Sequence, residues 1–132
     1  MKNRRKFIKN SALLGTGMFI VPRNVLGGPG FTAPSDQLNI ASIGTGGKGY
    51  DITHDWASKE RVIALCDVHP DKNDVVNARK KYPNANVYVD FREMLDNEKD
   101  LDAVTVSTPD HTHGVIASNA MNRGLHVYVQ KP

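Results

Sequence analysis

One cysteine, Cys66, stands alone in 132 residues, so no disulfide can close within the chain. At Cys66 the surrounding run is apolar, and the thiol reads as a small buried hydrophobe. No acidic residue precedes Asp36. No leading apolar run reaches the roughly 20 residues a membrane-spanning helix needs. The stretch from Ser11 to Val21 is 11 residues long and is softened by Gly15, Thr16 and Gly17. Internal repeats are lacking, and so are low-complexity tracts beyond the first 35 residues. An H-x-H at His111 and His113 has no third ligand cluster beside it, so the expected site holds no metal. His54 and His126 read as solvated or structural, and Trp56 and Tyr50 as helix residues packed on a sheet.

What is present is unevenly placed. The formal net charge is +3, but six of the 17 Lys and Arg lie in residues 1–35 (Lys2, Arg4, Arg5, Lys6, Lys9, Arg23). The remaining 97 residues carry 11 basic and 14 acidic side chains. The basicity belongs to the leader, and the mildly acidic remainder argues against nucleic acid as a partner. In the leader, Asn3 to Lys9 (Asn-Arg-Arg-Lys-Phe-Ile-Lys) resembles a twin-arginine export motif with Asn at the usual Ser or Thr position. Ser11 to Val21 suits its apolar region, and Pro22 ends it. This implies the twin-arginine export machinery as a partner and a periplasmic destination. Such export moves proteins already folded. The Gly- and Pro-rich segment from Val25 to Ser35 is a linker. Residues 1–35 are therefore export signal and linker, and residues 36–132 form the folded domain.

That domain is organised around Leu38 to Asp67. An apolar run, Ile40 to Ile43, reads as a buried strand; Gly44-Thr45-Gly46-Gly47-Lys48-Gly49 is a G-x-G-x-x-G turn. A helix from about Gly47 to Ser58 follows, then a second strand, Arg61 to Cys66, closed by Asp67. Strand, glycine turn, helix, strand and acid, in that order, are what a dinucleotide-binding unit requires. Gly44 permits the tight turn, Gly46 removes a Cβ where a pyrophosphate must approach, and Gly49 lets helix pack close to strand. The helix start, at Gly47, offers free N–H groups and a positive dipole end to phosphates. Asp67, 23 residues beyond Gly44, is placed to meet adenosine ribose hydroxyls. Its charge would repel a 2′-phosphate, so NAD is expected over NADP.

The remainder alternates. His69-Pro70-Asp71 is a turn whose proline can start a helix. Val75, Val76, Arg79 and Tyr82 recur at helical spacing until Pro83, and Asn86 to Asp90 is a short third strand. Phe91 to Leu95 gives a helical turn or two. A fourth strand, Ala103 to Ser107, ends in Thr108-Pro109; Asp110 to His113 then leads into a helix of about ten residues, to Arg123. Gly124 is its left-handed cap, and His126 to Val129 is the fifth strand. Helices between strands predict an α/β fold, a doubly wound parallel sheet of about five strands.

Leu38 to Pro132 resembles the N-terminal half of the Gfo/Idh/MocA oxidoreductases, the glucose–fructose oxidoreductase and inositol dehydrogenase family. Four features carry the resemblance: the turn at Gly44–Gly49, Asp67, Thr108-Pro109-x-x-x-His113, and Gly124-x-His126-Val127-x-x-x-Lys131-Pro132. The last is similar to the family's E-K-P motif, with Gln130 in place of Glu. The resemblance implies that Lys131 sits beside the nicotinamide, contacts the substrate hydroxyl and assists proton transfer. It implies that Pro132 fixes the backbone, commonly as a cis peptide. It also implies that Thr108, Pro109 and His113 line the cofactor cleft and that His113 joins Lys131 in the chemistry. Gln130 keeps hydrogen bonding but not the charge that could tune the lysine or bind the ribose. Family members continue into a C-terminal α/β substrate domain. Its absence after Pro132 leaves the expectation of a truncated cofactor half. The reaction implied is hydride transfer between NAD and a sugar or polyol. The alternatives are the family's NAD-dependent glycosidase branch and a non-catalytic dinucleotide-binding fragment. Assembly into a homo-oligomer stays open.

Overall fold

The computed structural model describes residue 28 and residues 32–131. The export motif, its apolar region and Pro132 lie outside the described residues. The chain divides into two units, Met1–Pro34 and Ser35–Pro132. Every strand and α-helix described belongs to the second.

Among the described residues five strands alternate with four helices: β1 Asn39–Ile43, α1 Lys48–Asp55, β2 Arg61–Cys66, α2 Asn73–Lys81, β3 Asn86–Tyr88, α3 Phe91–Asn97, β4 Ala103–Val106, α4 Asp110–Met121 and β5 His126–Val129. All strand pairs are parallel, in the order β3-β2-β1-β4-β5. The expected doubly wound sheet is what the chain forms. Its central strands are buried on both faces, which is why they read as apolar runs rather than as alternating patterns.

Two cores result, one on each face. Ile40, Val62, Leu65 and Ala78, with Tyr50 and Tyr82 against them, pack under α1 and α2. Ala41, Ile43, Ala64, Cys66, Val104 and Val106 pack with Met94, Leu95, Ile116 and Ala120 under α3 and α4. In β2 the faces do not simply alternate. The pairing steps from Ile40–Val62 to Ala41–Ala64, leaving Ile63 as an extra residue in a bulge. Val62 and Ala64 therefore face opposite cores although they are two apart. Each fully buried side chain of Leu65's size contributes about 1.5–3 kcal/mol.

Several boundaries differ from the sequence expectation. α1 ends at Asp55, and a 3-10 turn, Ala57–Lys59, takes up the rest of the expected helix. α2 starts at Asn73, three residues beyond Pro70, so the proline belongs to the preceding turn. β3 is three residues long, because only Asn86, Val87 and Tyr88 pair with β2. Trp56, expected as a helix residue packed on the sheet, follows the end of α1 and is 65% exposed; its ring lies 4.7 Å from that of Tyr128 on β5. α4 begins at Asp110, so both histidines of the H-x-H are helical. Gly124, at φ 82°, takes the left-handed conformation expected of it.

Candidate cofactor-binding cleft

The ends of β1, β2 and β4 come level, since Ile43 pairs with both Cys66 and Val106. Three residues therefore leave the sheet at one rim: Gly44, Asp67 and Ser107. The backbone stitches them together. Gly44 N–H donates to the Cys66 carbonyl at 2.8 Å, and Ser107 N–H donates to the Ile43 carbonyl at 2.8 Å. The rim opens between β1 and β4, where the strand order reverses, and the chain's winding leaves a crevice there.

A cleft of about 850 Å³ occupies this place. Its walls include Gly44, Gly46, Gly47, Asp67, Thr108 and Pro109. Val68, Val89 and Phe91 give one apolar end, and Val115 and Ile116 the other; Lys72, Arg92, His69 and His111 supply polar groups. A second hollow, of about 460 Å³, is lined by Asn39, Arg61, Lys99 and Asp102 and contains none of the expected residues.

The glycines are required for different reasons. At Gly44, φ is +80° and a Cβ would stand 2.7 Å from the Ser107 carbonyl. At Gly49 a Cβ would land on the Gly44 carbonyl oxygen, so glycine there lets α1 close on the turn. That closeness is held by Thr53 of α1, whose hydroxyl is hydrogen-bonded to that of Ser42 on β1 at 2.8 Å. Gly47, the N-cap of α1, has φ 56° and ψ −123°, a conformation nearly confined to glycine. Gly46 is unlike them. A Cβ there would make only ordinary contacts, 3.5 Å to Asp67 Oδ2 and 3.7 Å to Val75. Nothing in the protein's own packing demands glycine at that position.

Asp67 is fixed over the turn. Its Oδ2 accepts the Gly46 N–H at 3.0 Å and its Oδ1 accepts the His69 N–H at 2.9 Å. A second carboxylate joins it: Asp74, in the first turn of α2, accepts the Gly47 N–H at 3.0 Å. Sequence reasoning missed Asp74, and spacing alone carried no signal that α2 would reach the turn. Cys66 lies on the cleft floor, where burial, with the Asp67 and Asp90 charges adding to it, pushes the thiol up to about 12.

The other expected residues are placed differently. Gly49 is buried behind the turn rather than on the cleft wall. His113 is 9% exposed and is not on the wall either; its Nε2 lies 2.6 Å from the Thr108 carbonyl. A carbonyl only accepts, so this nitrogen carries the proton. His111, which sequence reasoning set aside, does line the cleft. Two residues apart on a helix point in nearly opposite directions, which separates the two rings. Gln130 continues the β4–β5 ladder, its N–H donating to Val106 at 2.8 Å, and Lys131 is exposed. Both follow β5 and stand outside the cleft lining.

A glycine turn from strand to helix, beside an acid on the next strand and at the switch point of a parallel sheet, defines the Rossmann class of dinucleotide-binding domains. Within that class the chain belongs to the Gfo/Idh/MocA family, described as an oxidoreductase family with an NAD-binding Rossmann fold, whose model matches residues 38–132. It is the NAD(P)-binding Rossmann domain of that family. A glycosyl hydrolase family 109 protein of Solibacter usitatus is 31% identical over 144 residues, covering 98% of this chain and 33% of the relative. An alpha-N-acetylgalactosaminidase of Shewanella oneidensis is 31% identical over 113 residues, covering 78% of this chain and 24% of its own length. Among solved structures, a scyllo-inositol dehydrogenase from Lactobacillus casei superposes with a TM-score of 0.64 at 28% identity, over 73% of this chain and 28% of that one. The chain thus spans about a third or less of the relatives it matches.

Proposed function

We propose that this domain binds NAD in preference to NADP and serves an oxidoreductase that transfers a hydride to or from a sugar or polyol. The observation that carries the cofactor reading is the pairing of Gly46 with Asp67. The glycine leaves space that the protein does not use, and a carboxylate is anchored beside it. A cradle that a Cβ would fill fits a diphosphate approaching the backbone, and the anchored acid fits ribose hydroxyls. Gly44, Gly46 and Gly47 would line the diphosphate's approach to the start of α1, and Asp67 would meet the ribose. Thr108 and Pro109 would form the opposite wall, with His113 holding the Thr108 carbonyl from behind. When bound, the nicotinamide supplies or accepts hydride at its C4. Lys131 would move a proton at the substrate hydroxyl, with Gln130 positioning the strand end that carries it. The inositol dehydrogenase similarity supports the polyol class.

A second reading has its own support. The curated relatives include an alpha-N-acetylgalactosaminidase and glycosyl hydrolase family 109 proteins. In a glycosidase of this kind, oxidation is transient and the net reaction is redox-neutral. Net reduction of NAD by a polyol in the protein that carries this domain separates the two readings.

Titration with NADH and NADPH, followed by nucleotide fluorescence, tests the cofactor assignment. NADH binds more tightly, and Asp67→Asn narrows the gap by about tenfold, because it removes the charge facing a 2′-phosphate. No response to either dinucleotide at millimolar concentration overturns the assignment.

A further inference from the structure

The first turn of α2 carries a carboxylate to which the cofactor reading gives no role. Asp74 is half-buried and its Oδ2 accepts the Gly47 N–H at 3.0 Å. Gly47 is the N-cap of α1, and no local side chain caps that helix. The amide is therefore satisfied by an acid borne on a different helix. Amides at a helix start are the donors that a diphosphate needs, and a carboxylate is drawn to the same donors by the same dipole. One N–H cannot hold both, and two anions at that spacing repel each other.

We propose that Asp74 is an internal competitor for the diphosphate: its carboxylate holds the Gly47 amide, has to leave it when a dinucleotide binds, and so sets affinity for NAD and NADP alike. The inference rests on the cofactor reading of the cleft. Its logic differs from that of Asp67. Asp67 is anchored by two amides, Gly46 and His69. Asp74 reaches the turn through one, so a rotation about its own side-chain torsions frees the donor without moving α2. Asp67 is assigned to the ribose, where the two dinucleotides differ, whereas Asp74 holds the Gly47 amide at the start of α1, beside the diphosphate they share.

The test is NADH and NADPH titration of the full chain and of three variants: Asp74→Asn, Asp74→Ala and Asp71→Asn. Each is checked for a native melting transition. Asp71 is an exposed acid in the preceding turn and stands outside the cleft lining. Its replacement removes equal charge without freeing the Gly47 amide. Asp74→Asn and Asp74→Ala bind both dinucleotides about threefold to tenfold more tightly, by similar factors. Asp71→Asn stays within about twofold of the parent, since screened surface charge acts weakly. If the parent binds and neither Asp74 variant is tighter, this inference fails and the cofactor reading stands. A gain confined to NADPH makes Asp74 a ribose reader and overturns the competitor role. An equal gain in Asp71→Asn reduces the effect to general charge and also overturns it. If no protein responds to either dinucleotide, the cofactor reading and this inference fall together.

Discussion

At the residue scale, the four glycines of one turn answer to different causes, and two substitutions separate them. Gly49→Ala places a methyl on the Gly44 carbonyl oxygen. It destabilises the domain by about 1–3 kcal/mol or more, read from a denaturant midpoint. Gly46→Ala meets no such obstacle and its φ is not left-handed. Its stability stays level or rises by about 0.5 kcal/mol, because alanine restricts the unfolded chain. Dinucleotide binding nevertheless falls at least tenfold, since the methyl occupies the approach to the backbone. If Gly46→Ala binds NADH as the parent does, the diphosphate does not come to this turn. The sequence spacing picked out both positions but could not say which one the protein's own packing requires.

At the element scale, β3 and α3 are joined by a polar clasp rather than by apolar contacts alone. Tyr88 of β3 donates to Glu98 Oε1 at 2.7 Å, and Asn86 Nδ2 donates to the same oxygen at 2.8 Å. The hydrogen bond to Glu98, with smaller contributions from burial and nearby carboxylates, pushes the Tyr88 phenol up to about 12. Because the folded value lies above the ordinary 10.0, this contribution is complete below pH 10. It is lost as pH rises from there toward 12. Tyr88→Phe costs up to about 1 kcal/mol at pH 8, with solvent holding it toward the low end. The variant also shows a shallower loss of stability between pH 10 and 12, measured by urea denaturation across that range. Just beyond β3, Asp90 caps α3 by accepting the Arg92 N–H at 2.8 Å. The Arg92 side chain and N–H hold the Asp90 carboxyl below its usual range, so this cap persists until acid conditions. The strands were legible as elements because buried parallel strands are apolar throughout. Their ends were not, since pairing partners and caps decide where a strand or helix stops.

At the scale of the whole molecule, the charge separation between residues 1–35 and the rest is the feature with a consequence. Among the described residues no helix is long and apolar enough to cross a membrane. The twin-arginine reading of Asn3 to Lys9 is a proposal that a paired Arg4→Lys, Arg5→Lys substitution tests. Fractionation of cells producing the chain finds the substituted form retained in the cytoplasm and the parent exported. Equal export of both removes the assignment.

Much of the candidate site could be read from residue types, because a tight turn, a close approach and an acid at a fixed interval have local causes. Gly44, Gly46, Gly47, Asp67, Thr108 and Pro109 were named by spacing or by family resemblance, and all line one cleft. The alternation of apolar runs with helical periods likewise determined the parallel α/β class. Tertiary structure alone decided the rest. The bulge at Ile63 set which core each β2 side chain enters. The start of α4 at Asp110 turned His113 inward and His111 toward the cleft. The approach of α2 brought Asp74 onto the Gly47 amide. Each depends on residues distant in the chain meeting in space, and local sequence pattern carries no record of such meetings.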